Sequence, residues 1–311
     1  MATNLTIKDL SRAIRTRQWA KNALLFGGFV FAGGLRAAPA VFAGQFTRVL
    51  LAFACFCALS GAAYLINDWQ DLERDRNHPI KKNRPLASGR LSLRGAAILI
   101  AFLLFFALAM TRAIVVLEPH ALGFGFAAAA YFILTLAYSF ALKHEVIIDV
   151  LCVAAGFVVR VVAGCLAVPV EISPWILFCT FNLALFVALC KRRSELLEVG
   201  HSAGTRRVLQ GYTPDMLDTF IAIAAGLTII SYSLYTFNAP HTRALGVELG
   251  QTPLLMTSIP FVVYGVFRYL LLAHSSPVGG EPEQMLRDKP MMVSVALWGL
   301  WIVILTLLPT I

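Results

Sequence analysis

Long apolar runs recur along the whole chain, at roughly 20–35, 45–66, 93–112, 119–142, 146–168, 173–190, 216–236, 253–273 and 291–309. A helix that crosses a bilayer needs about 20 predominantly apolar residues. Its backbone polar groups must also be satisfied within the segment. The pattern predicts an all-α integral membrane protein with nine transmembrane helices, residues 1–311 forming a single transmembrane domain. Composition excludes the soluble alternative, because only 14% of the residues are charged and soluble domains carry about a quarter. The six cysteines lie inside apolar runs. They read as small buried hydrophobes and exclude a secreted disulfide scaffold or a zinc site.

Charge distribution sets an expected orientation. With the N-terminus in the cytoplasm, 20 of the 26 Lys and Arg fall on the cytoplasmic side; four (Arg36, Arg48, Arg112 and Arg243) fall outside. The positive-inside rule then leaves the C-terminus outside. It also places the net charge of +9 beside anionic headgroups or anionic substrates. The expected location is the inner or plasma membrane, multi-pass, with the lipid bilayer as a partner and no nucleic acid. Segments 67–92 and 191–215 hold nearly all the polar chemistry and are expected to be cytoplasmic active-site loops. Residues 1–19 read as an amphipathic interfacial segment with Ile7, Leu10 and Ile14 on one face. No signal peptide is expected, since charged residues persist to Lys21.

The second run leads directly into Asn67-Asp68-Trp69-Gln70-Asp71-Leu72-Glu73-Arg74-Asp75. Continued as a helix, Asn67, Asp71, Asp75 and Asp68 share an arc of about 100°. Trp69, Glu73 and Arg76 point the other way. Crowded carboxylates call for a cation, and hard oxygen ligands suit Mg²⁺ shared with a phosphorylated substrate. Asn67, Asp68, Asp71 and Asp75 are the expected metal ligands, and the three aspartates the expected catalytic groups. The competing reading is a solvated helix end of mixed charge. A Pro- and Gly-containing loop follows, His78 to Arg90. Its Lys81, Lys82 and Arg84 are candidate phosphate contacts; lipid headgroups are the alternative for all three.

Asn67-Asp68-x-x-Asp71-x-x-x-Asp75 followed by Asn83-Arg84-Pro85-Leu86-x-Ser88-Gly89 resembles the first Asp-rich motif of the UbiA superfamily of intramembrane prenyltransferases. The resemblance implies nine transmembrane helices around a central cavity. Family members that transfer prenyl groups carry a second Asp-rich motif between helices 6 and 7. Here that position reads Lys191-Arg192-Arg193-Ser194-Glu195-Leu196-Leu197-Glu198-Val199-Gly200. Cations in place of carboxylates are similar to the decaprenyl-phosphate phosphoribosyltransferase branch, which moves phosphoribose from phosphoribosyl pyrophosphate (PRPP) onto a polyprenyl phosphate. Further strings look like that branch. They are Arg17-Gln18-Trp19-Ala20-Lys21-Asn22, Tyr138-Ser139-x-x-Leu142-Lys143-His144, Arg160-x-x-Ala163-Gly164, and Glu281-Pro282-Glu283 with Leu286-Arg287-Asp288.

The resemblance adds Lys21 to the catalytic set. It adds Gln18, Asn22, Tyr138, Lys143, Arg160, Lys191, Arg192 and Glu195 to the substrate contacts. Plainer readings stand beside these. Lys21 and Asn22 also fit the cytoplasmic start of a span, and Tyr138 an interfacial aromatic. Lys143-His144 fits an ordinary loop. Arg160, deep in its span, needs a partner or a wet cavity, and Asp149 or a carbonyl would serve. Arg268, nearer a span end, fits a snorkelling side chain. Lys191 and Glu195 are spaced for a helix-surface ion pair. Gly27, Gly28, Gly33 and Gly34 permit close helix packing. The expected reaction is Mg²⁺-dependent transfer of 5-phosphoribose from PRPP to a polyprenyl phosphate. Prenyl transfer to an aromatic acceptor or haem is the alternative, and a transporter the rival of a different class.

Overall fold

Proline and side-chain caps mark where the helices begin. Pro39, Pro174 and Pro214 open α3 (Pro39–Gln70), α8 (Pro174–Val199) and α9 (Pro214–Asn238). At a first helical position the missing N–H costs nothing and the fixed φ is already helical. The Ser92 hydroxyl accepts from the Gly95 N–H at 3.0 Å and starts α5 (Leu93–Leu117). Thr6 and Asp9 cap each other reciprocally at the head of α1 (Ile7–Ala13). The remaining helices are α2 (Phe26–Phe31), α4 (Leu72–Arg76), α6 (Leu122–Phe140), α7 (Ile148–Ala167), α10 (Ile259–Ser275) and α11 (Lys289–Leu307). This computed structural model describes residues 6–31, 35, 37–79, 81–168, 170, 172–199, 207–238, 254–275 and 287–307.

Seven helical segments among the described residues are long and apolar enough to cross a membrane: Pro39–Gln70, Leu93–Leu117, Pro119–Phe140, Ile148–Ala167, Pro174–Leu197, Pro214–Phe237 and Leu254–Ser275. Lys289–Leu305 is apolar but shorter. The first expected span, 20–35, takes a different form. Residues Thr16–Leu25 are a 3₁₀ helix, and α2 follows as far as Phe31. Residues 32–34, with Gly33 and Gly34, lie outside the described residues, as do Arg36, Arg243, Gly200 and the string Glu281 to Leu286. All six cysteines are free thiols.

The chain divides into two compact units. The first comprises the described parts of 1–29, 39–140 and 159–170. Its core gathers α3, α5 and α6 around Phe56, Leu65, Ile114 and Phe124, all buried. The outer face of α5 leaves Ile98, Phe102, Phe105 and Leu108 exposed, which suits a lipid solvent. Arg48 Nη1 on α3 meets Glu118 Oε2, just after α5, at 2.7 Å. The tail of α7 packs tightly on the 3₁₀ helix: a Cβ on Gly164 would lie 2.2 Å from the Leu25 carbonyl oxygen, and one on Gly28 would lie 2.9 Å from the Cys165 nitrogen. Only glycine fits either approach. The second unit comprises the described parts of 30–38, 141–158 and 171–311. Its core joins α8, α9 and α10 through Phe186, Leu217, Ile221 and Tyr269.

Candidate active site

Helix α3 carries the acidic motif out of the core of the first unit. The main chain bends at Asp71 (φ −88°, ψ 9°), yet Asp71 and Asp75 N–H still donate to the Asn67 and Asp71 carbonyls, at 3.0 and 2.8 Å. The arc expected from the spacing therefore survives. Asp68 and Asp75 are buried, Asn67 and Asp71 partly buried, and Trp69, Glu73 and Arg76 exposed.

Arg84 draws the two buried aspartates together. Its Nη1 donates to Asp68 Oδ1 at 2.9 Å and to Asp75 Oδ2 at 2.6 Å. Arg15 approaches the same Asp68 oxygen at 2.5 Å, with its guanidinium carbon 4.5 Å above the Tyr64 ring. Asp71 sits apart. It accepts from Asn67 Nδ2 at 3.3 Å and stands 3.8 Å from Arg74 Nη1. Among the described residues no three acidic, His or Cys side chains gather at metal-ligand spacing.

The donor set nevertheless fits Mg²⁺. Asp68 and Asp75 offer hard oxygens that already share one positive group, the Arg84 guanidinium. Asn67 and Asp71 stand one turn away on the same arc.

Beside the pair lies a cleft of about 390 Å³ lined by Arg12, Arg15, Lys81, Asn83, Arg84 and Asp68. Four cations face one carboxylate, so the cleft attracts polyanions. The loop that supplies Lys81 and Arg84 is fixed by Arg90. This arginine donates to the Asn83 carbonyl at 2.6 Å, to Ser88 at 3.0 Å and to Asp9 on α1 at 2.7 Å. Gly89, at φ 76°, makes the turn. Asp9 is held below the usual carboxylate range by its hydrogen bond from the Thr6 hydroxyl, then by Arg90 and Arg12, against the opposing effect of burial. Lys82 is exposed and does not line the cleft.

Deeper in the same unit, Asn22 and Arg160 form a buried polar knot. Arg160 Nε donates to Asn22 Oδ1 at 2.8 Å, and its Nη2 donates to the Tyr131 hydroxyl at 2.7 Å. Asn22 Nδ2 donates to Ser60 at 3.2 Å. Asn22 thus turns into the unit. Lys21 beside it is exposed, and Gln18 and Tyr138 are partly buried.

In the second unit, Asp149 is fully buried and engaged by Arg192 and Tyr212. Arg192 Nε lies 2.8 Å from Asp149 Oδ2 without hydrogen-bond alignment, and its Nη1 donates to Glu195. The residues expected to begin a loop at 191 are helical as far as Val199. The Tyr212 hydroxyl donates to Asp149 Oδ1 at 2.8 Å and accepts from the Ile147 N–H at 2.7 Å. Ile147 stands at φ 71°, a rare conformation for a β-branched residue. Burial, first of all, and the neighbouring Asp149 push the Tyr212 hydroxyl up to about 12. Lys143, in the turn just before Ile147, is buried. Arg193 binds Asp218 with both arms, and His274 reaches the same carboxylate at 3.1 Å. Arg192 and Arg193 are therefore braced by carboxylates. Arg268 does not simply snorkel: it pairs with Asp288 at 3.1 and 2.8 Å.

Arg12, Arg15, Tyr131 and Tyr212 are absent from the sequence-derived site. Arg15 belongs to an unremarkable basic run, and only its left-handed backbone (φ 53°) turns it onto Asp68.

Comparison with known proteins gives a consistent picture. A model of the UbiA prenyltransferase family matches residues 25–200. A decaprenyl-phosphate phosphoribosyltransferase of Mycolicibacterium smegmatis is 31% identical, covering 94% of this chain and 90% of its own. One of the same name from Corynebacterium glutamicum is 33% identical over 94% and 85%. The fold is similar to a solved UbiA homolog from Archaeoglobus fulgidus bound to DMAPP and Mg²⁺, with a TM-score of 0.68, 18% identity, and 96% and 99% coverage.

Proposed function

The chain belongs to the UbiA prenyltransferase family, and from that premise we propose that it transfers 5-phosphoribose from PRPP to a polyprenyl phosphate, releasing pyrophosphate. The observation that carries the reading is the cleft in which Arg12, Arg15, Lys81 and Arg84 surround the exit of the acidic motif. Its charge suits a polyphosphorylated donor at the end of a membrane-spanning helix. The names of the curated relatives support phosphoribosyl transfer and a decaprenyl-like phosphate acceptor, and PRPP is the proposed donor.

An oxygen of the lipid phosphate attacks C1 of the ribose. The C1–O bond forms, the bond to pyrophosphate breaks, and the electron pair leaves on pyrophosphate. The transition state has oxocarbenium character, as in other sugar transfers. The nucleophile is already an anion, so no general base is required. Displacement without a covalent intermediate inverts the anomeric centre.

Lys81 and Arg84 hold donor phosphates, and Lys21, Lys143 and Lys191 keep the phosphate-contact role that the resemblance gives them. Gln18, Lys82 and Tyr138 are proposed as further substrate contacts. Glu195 and Arg192 steady one another. Arg160 and Asn22 offer a fixed polar group inside the hydrocarbon for the lipid head. Asn67, Asp68, Asp71 and Asp75 would hold Mg²⁺, which neutralises developing charge on the leaving group. Orientation and charge neutralisation are the principal contributions of the protein. The proposal includes nine transmembrane helices in one domain, an inner- or plasma-membrane location, and a cytoplasmic N-terminus and active site.

Purified protein is incubated with labelled PRPP, polyprenyl phosphate and Mg²⁺, with or without EDTA, and the lipid phase is chromatographed. A labelled lipid that disappears with EDTA is the expected result. Consumption of prenyl diphosphate, with no labelled lipid from PRPP, would overturn the reading in favour of prenyl transfer.

A further inference from the structure

The N-terminal segment is fastened by two separate ties, one to the loop after the acidic motif and one to the motif itself. Asp9 on α1 accepts from Arg90 at 2.7 Å, and Arg90 also holds the Asn83 carbonyl. Six residues after Asp9, the left-handed turn at Arg15 swings its guanidinium back onto Asp68. One oxygen, Asp68 Oδ1, thus accepts from both Arg15 and Arg84. Arg84 has a second carboxylate, Asp75, whereas the ion pair of Arg15 is with Asp68. The Arg15 side chain is 27% exposed and lines the cleft together with Arg12.

We infer that Arg15 is a phosphate-binding residue of the donor site, held on Asp68 until a divalent cation takes that carboxylate, with Arg12 a second cation of the same wall. The inference rests on the donor reading given above. Its logic is competition for one oxygen. A divalent cation on Asp68 displaces the guanidinium, which must then find another anion. The donor phosphates enter the same cleft and supply it. Metal and donor therefore assist each other, and either alone meets resistance.

A residue that merely supports the fold weakens every ligand when it is removed. A residue that competes with the metal and binds the donor shifts the two ligands in opposite directions. Mn²⁺ binding is followed by electron paramagnetic resonance on the full chain without donor. Labelled PRPP binding is measured by equilibrium dialysis in Mg²⁺.

For Arg15→Gln we expect Mn²⁺ alone to bind about threefold to tenfold tighter and PRPP about tenfold weaker, the scale of one charge-assisted contact. Arg15→Lys shows the same opposite signs at smaller amplitude and carries the test should Arg15→Gln lose its thermal transition. Arg12→Gln weakens PRPP about threefold without tightening Mn²⁺. Loss of both ligands together, or no change in either, overturns the inference while wild-type PRPP binding stands. Absence of PRPP binding by the wild-type chain overturns the donor reading first, and this inference with it.

Discussion

Removing the Tyr212 hydroxyl isolates the brace behind Arg192. Tyr212→Phe keeps the ring and deletes one oxygen that serves two partners. Asp149 is fully buried, and it loses a donor at 2.8 Å. A hydrogen bond to a charged group is worth about 1.5–3 kcal/mol. The Ile147 N–H loses its acceptor at 2.7 Å. That bond is part-buried, and the low end of a net hydrogen-bond contribution, about 0.5 kcal/mol, is taken for it. The sum is about 2–3.5 kcal/mol, or a fall in thermal midpoint on the order of 3–6 °C for a chain of 311 residues. The strained turn at Ile147 then relaxes, which releases Asp149 and, through it, Arg192.

Differential scanning fluorimetry of the purified protein measures the midpoint. Because the hydroxyl titrates only near 12, the midpoint difference between wild type and variant stays flat from pH 6 to 9. A control comes from Ile147→Gly, which removes the cost of the positive φ. Ile147→Gly and Tyr212→Phe act on one turn, so their effects should be non-additive by about 0.5 kcal/mol or more. A loss below about 0.5 kcal/mol for Tyr212→Phe, with strict additivity, would refute the brace.

Gly164→Ala forces a Cβ to within 2.2 Å of the Leu25 carbonyl; a loss of about 1–3 kcal/mol is expected, with Gly27→Ala, which meets nothing within 4 Å, as the silent control in the same melting assay. Arg160→Lys keeps the charge but cannot span Asn22 and Tyr131 together; lipid product formation should fall about tenfold or more, and wild-type turnover would contradict the polar knot. Asp9 titrates below its ordinary value of 3.8 in the folded chain. Its contribution is therefore complete above about 3.8 and is lost as pH falls through the lowered folded value. Protection of amides 7–14 from hydrogen exchange, relative to the intrinsic rate at each pH, should fall only in that acidic window, and a fall in protection near neutrality would contradict the assignment.

The sequence exposed what is local and hid what is distant. The arc of Asn67, Asp68, Asp71 and Asp75 follows from helical spacing, and burial agrees with it. The longer spans were legible because apolar length is a local property. The partners of the cations were not. Asp149, Asp218 and Tyr212 lie far along the chain from Arg192 and Arg193, so among the three consecutive positive charges i,i+4 spacing offered a partner only to Lys191, in Glu195. In the folded second unit, Arg192 and Arg193 are bound to carboxylates. The first run misled in another way: its polar opening, Lys21-Asn22, belongs to a 3₁₀ helix that turns Asn22 inward. Arg15 illustrates the limit most clearly, since nothing in Ser11 to Arg17 forecasts a left-handed residue.

Helix α3 also works as a depth gauge. Twenty residues separate Arg48, paired with Glu118, from Asp68 at the cleft, and at 1.5 Å per residue that is about 30 Å. This matches the hydrocarbon thickness of about 30 Å in an ordinary bilayer. The two ionic clusters can therefore serve as tide-marks, one for each surface of the lipid. Ser60, which receives Asn22, lies eight residues back from Asp68, about 12 Å below the upper mark. On the proposed function, a lipid phosphate that reaches Arg160 would sink by about that distance. The proposed function then predicts that bilayer thickness modulates the reaction, because a thicker membrane lengthens the descent and a thinner one brings the headgroup plane nearer to Arg160.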